Sequence, residues 1–138
     1  MPKSLKQVMG ELHDLMDQIV QEGNEVDYVA ILDFADNVQG VDIIRATSRY
    51  RNPARKLDEA NLRETIAIER KSYRVNPYDE DKFINARTHL YRFSPTRVEE
   101  LVVMFACATH GDTDTFRAEC HRHRQGLIDK LRELDEAT

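Results

Sequence analysis

Cysteine is scarce in this sequence, and no apolar run approaches the roughly 18 residues that a membrane helix needs. Cys107 and Cys120 make no disulfide framework, which suits a reducing compartment. The five glycines stand apart at 10, 23, 40, 111 and 126, so there is no glycine-rich loop to cradle a phosphate. There is no Gly-x-Ser-x-Gly elbow, and no histidine accompanies a cysteine in a nucleophile signature. His13-Asp14 is an isolated pair with no earlier histidine to complete a metal motif. The opening MPKSLKQVMGELHD places acids ahead of any apolar stretch, so the expectation is no signal peptide, no membrane partner and a cytoplasmic location.

What is present is a globular composition, 41% hydrophobic and 33% charged, on a chain of 138 residues, the length of one domain. The net charge of −5 is unevenly spread. Residues 1–42 hold nine acids against Lys3 and Lys6, whereas residues 43–56 hold Arg45, Arg49, Arg51, Arg55 and Lys56 with no acid. Such polarity steers association with charged partners, a second copy included.

The most hydrophobic stretch is Leu101 to Ala108, LVVMFACA, and the chain should be organised around it. Periodicity alone does not separate a buried strand from a buried helix here. The flanks point to a helix: Ser94-Pro95-Thr96 opens it, Thr96 and Glu99 have capping-box spacing, and Gly111 can close it. The reading is therefore an all-α, single-domain bundle of five to six helices over 1–138, with a buried central helix at about 96–110. An acidic hairpin over 1–40 comes from two amphipathic segments. The first carries Leu5, Val8, Met9, Leu12, Leu15, Met16, Ile19 and Val20, and the second Tyr28, Ile31, Leu32, Ala35 and Val38. Residues 41–56 form the basic segment, entered by a further helical turn or two from Asp42 to about Tyr50. The phrase Tyr-Arg, short gap, Asn or Ser, then Pro recurs at Tyr50–Pro53, Tyr73–Pro77 and Tyr91–Pro95 and joins the helices of residues 57–138. Each phrase reads as a junction between helices at about 57–73, 78–92 and 96–110. A last helix from about 112 to 135 aligns Phe116, Cys120, His123, Leu127, Leu131 and Leu134, and its leucines are expected to cover the central element.

Three groups of residues have chemistry to weigh. Cys107-x-x-His110 and Cys120-x-x-His123, with His121, are zinc-type ligands. Cys107 belongs to the apolar run and Cys120 and His123 to an apolar stripe, so they read as core, and no metal or other cofactor is expected. Glu11-x-x-Asp14 and Asp33-x-x-Asp36 would lie level in an antiparallel hairpin turning near Gly23. This spacing is similar to the ExxE…ExxD arrangement of the all-α nucleotide pyrophosphohydrolases of the MazG type. That resemblance implies magnesium held on Glu11, Asp14, Asp33 and Asp36, and hydrolysis of nucleotides. A solvated acidic face accounts for the same residues, because Asp14 and Asp33 project nearly opposite their apolar stripes at about 100° per residue.

The third group is the basic segment. On a helix Arg45 and Arg49 would share one face, with Tyr50, Arg51, Arg55 and Lys56 following. Arginine forks suit carboxylate and phosphate alike, and arginine beside an aromatic ring also suits nucleic acid. The acidic balance of the whole chain favours a protein. The expectation is a small non-enzymatic binding protein, an adaptor, regulator or assembly component. It would contact an acidic protein partner or a second copy through Arg45, Arg49, Tyr50, Arg51, Arg55 and Lys56. Nucleic-acid binding on the same patch and the MazG-type hydrolase are the alternatives.

Overall fold

A computed structural model describes residues 3–22, 25–35, 42–48, 59–86, 89–108 and 112–137, with the backbone alone for 42–48 and 108. Among these the fold is α/β, which corrects the all-α expectation. The order is α1 (Leu5–Glu22), β1 (Tyr28–Asp33), β2 (Asp42–Ser48), α2 (Glu59–Val75), β3 (Lys82–Asn85), β4 (His89–Pro95), β5 (Leu101–Ala108) and α3 (Thr113–Ala137). The strands form one antiparallel sheet in the order β2-β1-β5-β4-β3.

The octet expected to be the central helix is β5, the middle strand. Tyr28 through Asp33 pair with it on one side, from Tyr28 opposite Ala106 to Asp33 opposite Leu101, and β4 pairs on the other. Its unbroken hydrophobicity has a simple cause: both faces of the sheet are covered, so both sets of alternating side chains are buried. Val103, Phe105 and Cys107 join one core cluster with Leu12, Met16 and Ile19 of α1 and Phe116, Leu127 and Leu131 of α3. Val102, Met104 and Ala106 join the other, with Leu62 and Ile66 of α2. The spacing at Thr96 and Glu99 belongs to the β4–β5 turn. There the Thr96 hydroxyl oxygen accepts from the Val98 amide at 3.1 Å and the hydroxyl donates to the Leu101 carbonyl at 2.8 Å. Arg97 (φ 60°) and Glu99 (φ 50°) adopt left-handed backbone there, which no helix start contains.

The second limb of the expected hairpin is β1, and its apolar residues also serve both faces. Val29 and Ile31 meet the α1/α3 cluster, and Ala30, Leu32 and Phe34 the α2 cluster. Residues 42–48 are extended rather than helical. The expected helix at 78–92 is β3 and most of β4, and in β4 the alternation is plain: Tyr91 and Phe93 enter the α2 cluster while Arg92 and Ser94 point the other way, to Asp81. Of the three Tyr-Arg phrases, Tyr73–Pro77 ends a helix, Tyr91–Pro95 lies within a strand, and Tyr50–Pro53 is outside the described residues.

The helices nearest their expected ranges are α1, α2 and α3. Helix α1 opens with a full capping box: Ser4 Oγ accepts from the Gln7 amide at 3.2 Å, and Gln7 Oε1 accepts from the Ser4 amide at 2.9 Å. Asp112 caps α3, its Oδ1 accepting from the amides of Asp114 and Thr115. The two helices lie antiparallel side by side. Lys3 at the start of α1 meets Glu133 near the end of α3, and Lys130 reaches Glu11 at 3.2 Å. Buried Glu119 ties α3 to the entry of β1 by accepting from the amides of Glu25 (2.8 Å) and Val26 (3.1 Å).

Candidate interaction surfaces

An antiparallel sheet that does not close leaves two edge strands, each with a row of backbone groups available to another chain. Among the described residues, β2 pairs with β1 alone and β3 with β4 alone. Arg45 lies on the β2 edge, its Cα opposite Ile31 of β1. The one-face argument for Arg45 and Arg49 rested on helical geometry and falls with it, because Arg45 is in a strand. Arg49, Tyr50, Arg51, Arg55 and Lys56 lie outside the described residues.

The β3 edge adjoins α2. Glu69 of α2 is buried, accepts the Tyr78 hydroxyl and forms a 2.9 Å ion pair with Lys82 at the start of β3. The Lys82 ammonium also lies 5.4 Å from the centre of the Tyr78 ring, and Tyr73 meets Tyr78 edge-on. Burial and then the hydrogen bond to Glu69 push the Tyr78 hydroxyl upward in pKa, and Tyr73 is pushed up to about 12, by burial first and then by its hydrogen bond to Glu100. Arg70, also buried, donates to the Ala35 carbonyl at 3.1 Å and so connects α2 to the end of β1. Polar contacts thus fix the inner side of α2. Its outer side exposes Ile68 (57%) and Val75 (88%), two of the three large hydrophobic side chains most open to solvent among the described residues. The sequence reading missed this surface, although both residues break the polar face of an amphipathic pattern.

Among the described residues, the groups weighed as metal ligands do not assemble. Glu11 is engaged by Lys3 at 2.8 Å and by Lys130, Asp14 is exposed on α1, and Asp33 ends β1 with its Oδ1 accepting the Ala35 amide. Asp36 is outside the described residues. With β1 in place of a second helix, the hairpin that would level these carboxylates is absent, and so is the all-α frame of the MazG-type resemblance. Cys107 on β5 and Cys120 on α3 are buried core residues, and burial pushes the Cys120 thiol upward. His123 is half-buried, which lowers its pKa; His121 is exposed, and His110 is outside the described residues. Among the described residues no three His, Cys, Asp or Glu side chains are grouped to hold a metal ion.

A five-stranded antiparallel sheet with a helix pair on one face and a single helix on the other defines the class of fold. No family model and no curated protein matches the chain. Solved structures do. One described as MglB with tetrameric arrangement superposes with a TM-score of 0.66 at 7% identity, over 91% of this chain and 90% of that one. MglC from Myxococcus xanthus gives 0.61 at 10%, over 86% and 98%. A Roadblock/LC7 domain from Streptomyces avermitilis gives 0.54 at 13%, over 86% and 92%. At these identities the likeness is one of fold, and it independently replaces the helical bundle with this α/β arrangement. No helix among the described residues is long and apolar enough to cross a membrane.

Proposed function

We propose that the chain is a small, non-enzymatic, cytoplasmic interaction protein that assembles with copies of itself and binds an acidic protein partner. The observation that carries this reading is the exposure of Ile68 and Val75 on α2, the helix whose Glu69 holds Lys82 of β3, an edge strand among the described residues. Apolar side chains exposed on the outer side of a helix gain from being covered, by about 25 cal/mol per Å² removed from water, and a second copy presents the same surface. The tetrameric arrangement named for one structure of this fold supports self-assembly as a use of it. The partner surface is the basic segment Arg45, Arg49, Tyr50, Arg51, Arg55 and Lys56, which starts on the opposite edge, β2, and so leaves the β3 edge for the second copy.

Sedimentation equilibrium tests the assembly. A dimer or larger species is expected at micromolar concentration, and Ile68→Glu with Val75→Glu should shift it to monomer without loss of helicity. A wild-type monomer at that concentration would end the self-assembly reading. For the partner surface, Arg45→Glu with Arg49→Glu should abolish capture of a protein from the native host, and unchanged capture would assign the contact elsewhere. Binding of random-sequence DNA at low salt, lost in the same variant, would transfer the patch to nucleic acid.

A further inference from the structure

A second basic surface, remote in sequence from residues 45–56, is assembled by the fold. On α3, Arg117, His121 and Arg124 follow at spacings of four and three and so share one side of the helix. Arg92 on β4 joins them: its NH1 donates to the Arg117 carbonyl at 3.1 Å. Asp81, just ahead of β3, organises the group. It accepts from Arg92 Nε at 2.7 Å and from Ser94 Oγ at 2.9 Å, and its other oxygen forms an ion pair with Arg124 Nε at 3.1 Å. The Arg117 guanidinium lies 4.1 Å from the centre of the Phe83 ring. Together Asp81, Phe83, Arg92 and Arg117 line a recess of about 230 Å³.

Three features make this more than a charged helix surface. First, the charge is unbalanced, since one carboxylate serves Arg92 and Arg124 while Arg117 is stacked on an aromatic ring. Second, residues 115–125 contain a single acid, Glu119, and it is buried and engaged by the amides of Glu25 and Val26. The acids next to Asp81 in sequence, Asp79 and Glu80, are exposed on the preceding loop. Third, the guanidinium groups are held in place before any ligand arrives, which reduces the ordering cost of binding.

We infer that this ledge receives a carboxylate-rich peptide segment of a protein partner. Arg92 is taken up by Asp81 and the Arg117 carbonyl, so the groups that meet the ligand are the Arg117 guanidinium on the Phe83 ring and the outer nitrogens of Arg124, which match carboxylates in geometry. A protein ligand is favoured over a nucleic acid because the chain as a whole carries −5, which opposes a polyanion as long as DNA more strongly than a short acidic segment. The ledge lies on the α3 side of β3, where Phe83 packs, whereas the proposed function uses residues 45–56 and the outer side of α2, so the two can fail separately.

The experiment is a titration of the full isotope-labelled chain with an octaglutamate peptide at low salt, followed by amide chemical shifts. Saturable shifts are expected at residues 81–83, 92 and 117–124. Arg117→Glu with His121→Glu should weaken that site roughly tenfold while any shifts at 42–48 remain. Arg117→Gln, which removes the charge and adds none, should give a smaller loss, and circular dichroism should report the same thermal midpoint for it as for the wild type. Shifts absent from 117–124, or unchanged by charge reversal, would overturn the inference. So would tighter binding of an oligothymidylate of equal charge to the same residues, which would assign the ledge to nucleic acid.

Discussion

The two faces of the sheet are held in different ways. On one, α1 and α3 lie antiparallel and bury a broad apolar layer against Val103, Phe105 and Cys107. On the other, α2 packs Leu62 and Ile66 against Val102, Met104 and Ala106, and is positioned as much by polar contacts: Tyr91 to Asn61 at 2.6 Å, Arg70 to the Ala35 carbonyl, and Tyr78 and Lys82 to Glu69. The same helix exposes Ile68 and Val75. Depth of apolar packing gives the first face its stability. The second face combines a narrower apolar contact with two exposed apolar side chains on the outer side of its helix.

Adjacent residues of β5 test this contrast on a single strand. Phe105→Ala, on the α1/α3 side, should cost about 3–5 kcal/mol, and Met104→Ala, on the α2 side, about 2–5 kcal/mol, measured by urea unfolding. A larger loss at Met104 would reverse the ranking of the faces. The buried carboxylates give the next comparison. Glu119→Ala leaves the amides of Glu25 and Val26 without their acceptor, at about 2–3 kcal/mol. Glu69→Ala leaves Lys82, whose side chain is 40% exposed and can be hydrated, so about 1–2 kcal/mol is expected.

The same contrast decides what could be read from the sequence. Helices with one wet side keep their stripe, so α1 and α3 were legible close to their true limits: Val8, Leu12, Met16 and Ile19 recur at helical spacing because the residues between them meet water or the neighbouring helix. Strands buried on both faces lose their alternation. β1 and β5 are nearly all apolar, and in YVAILD a run of five such residues satisfies a period of 3.6 as readily as one of 2. Val29, Ile31, Val102 and Val103 were the available signal, since β-branched residues favour strands, but the Thr96–Glu99 spacing outweighed it. The candidate surfaces were legible only in part. Arg45 is visible as charge, whereas the grouping of Arg92 with Arg117 and Arg124 depends on β4 lying beside α3, which no local pattern encodes.

A pH measurement separates the faces by a different property. Tyr73, on α2, has its pKa pushed from 10.0 to about 12 by burial and by its hydrogen bond to Glu100 in the β4–β5 turn. The folded state therefore holds this proton more tightly than the unfolded state does. Its contribution is complete below pH 10.0 and is lost as pH rises toward 12. Tyr78 is shifted in the same direction on the same side of the sheet. Tyr73→Phe should flatten the alkaline fall in stability between those two values, read as urea midpoints at successive pH. An unchanged slope would place the tyrosine in water in the folded state.

The smallest effect expected is a gain. Gly126 lies in the middle of α3, where glycine costs about 1 kcal/mol relative to alanine through the extra freedom of the unfolded chain. A methyl group added there would meet Leu15 Cδ2 of α1 at 3.7 Å, an ordinary contact with a side chain that already packs on the core. Gly126→Ala should therefore raise stability by about 0.5–1 kcal/mol. A loss instead would mean that α1 and α3 approach each other more closely at this point than 3.7 Å allows, and that the glycine is kept for the packing of the helix pair.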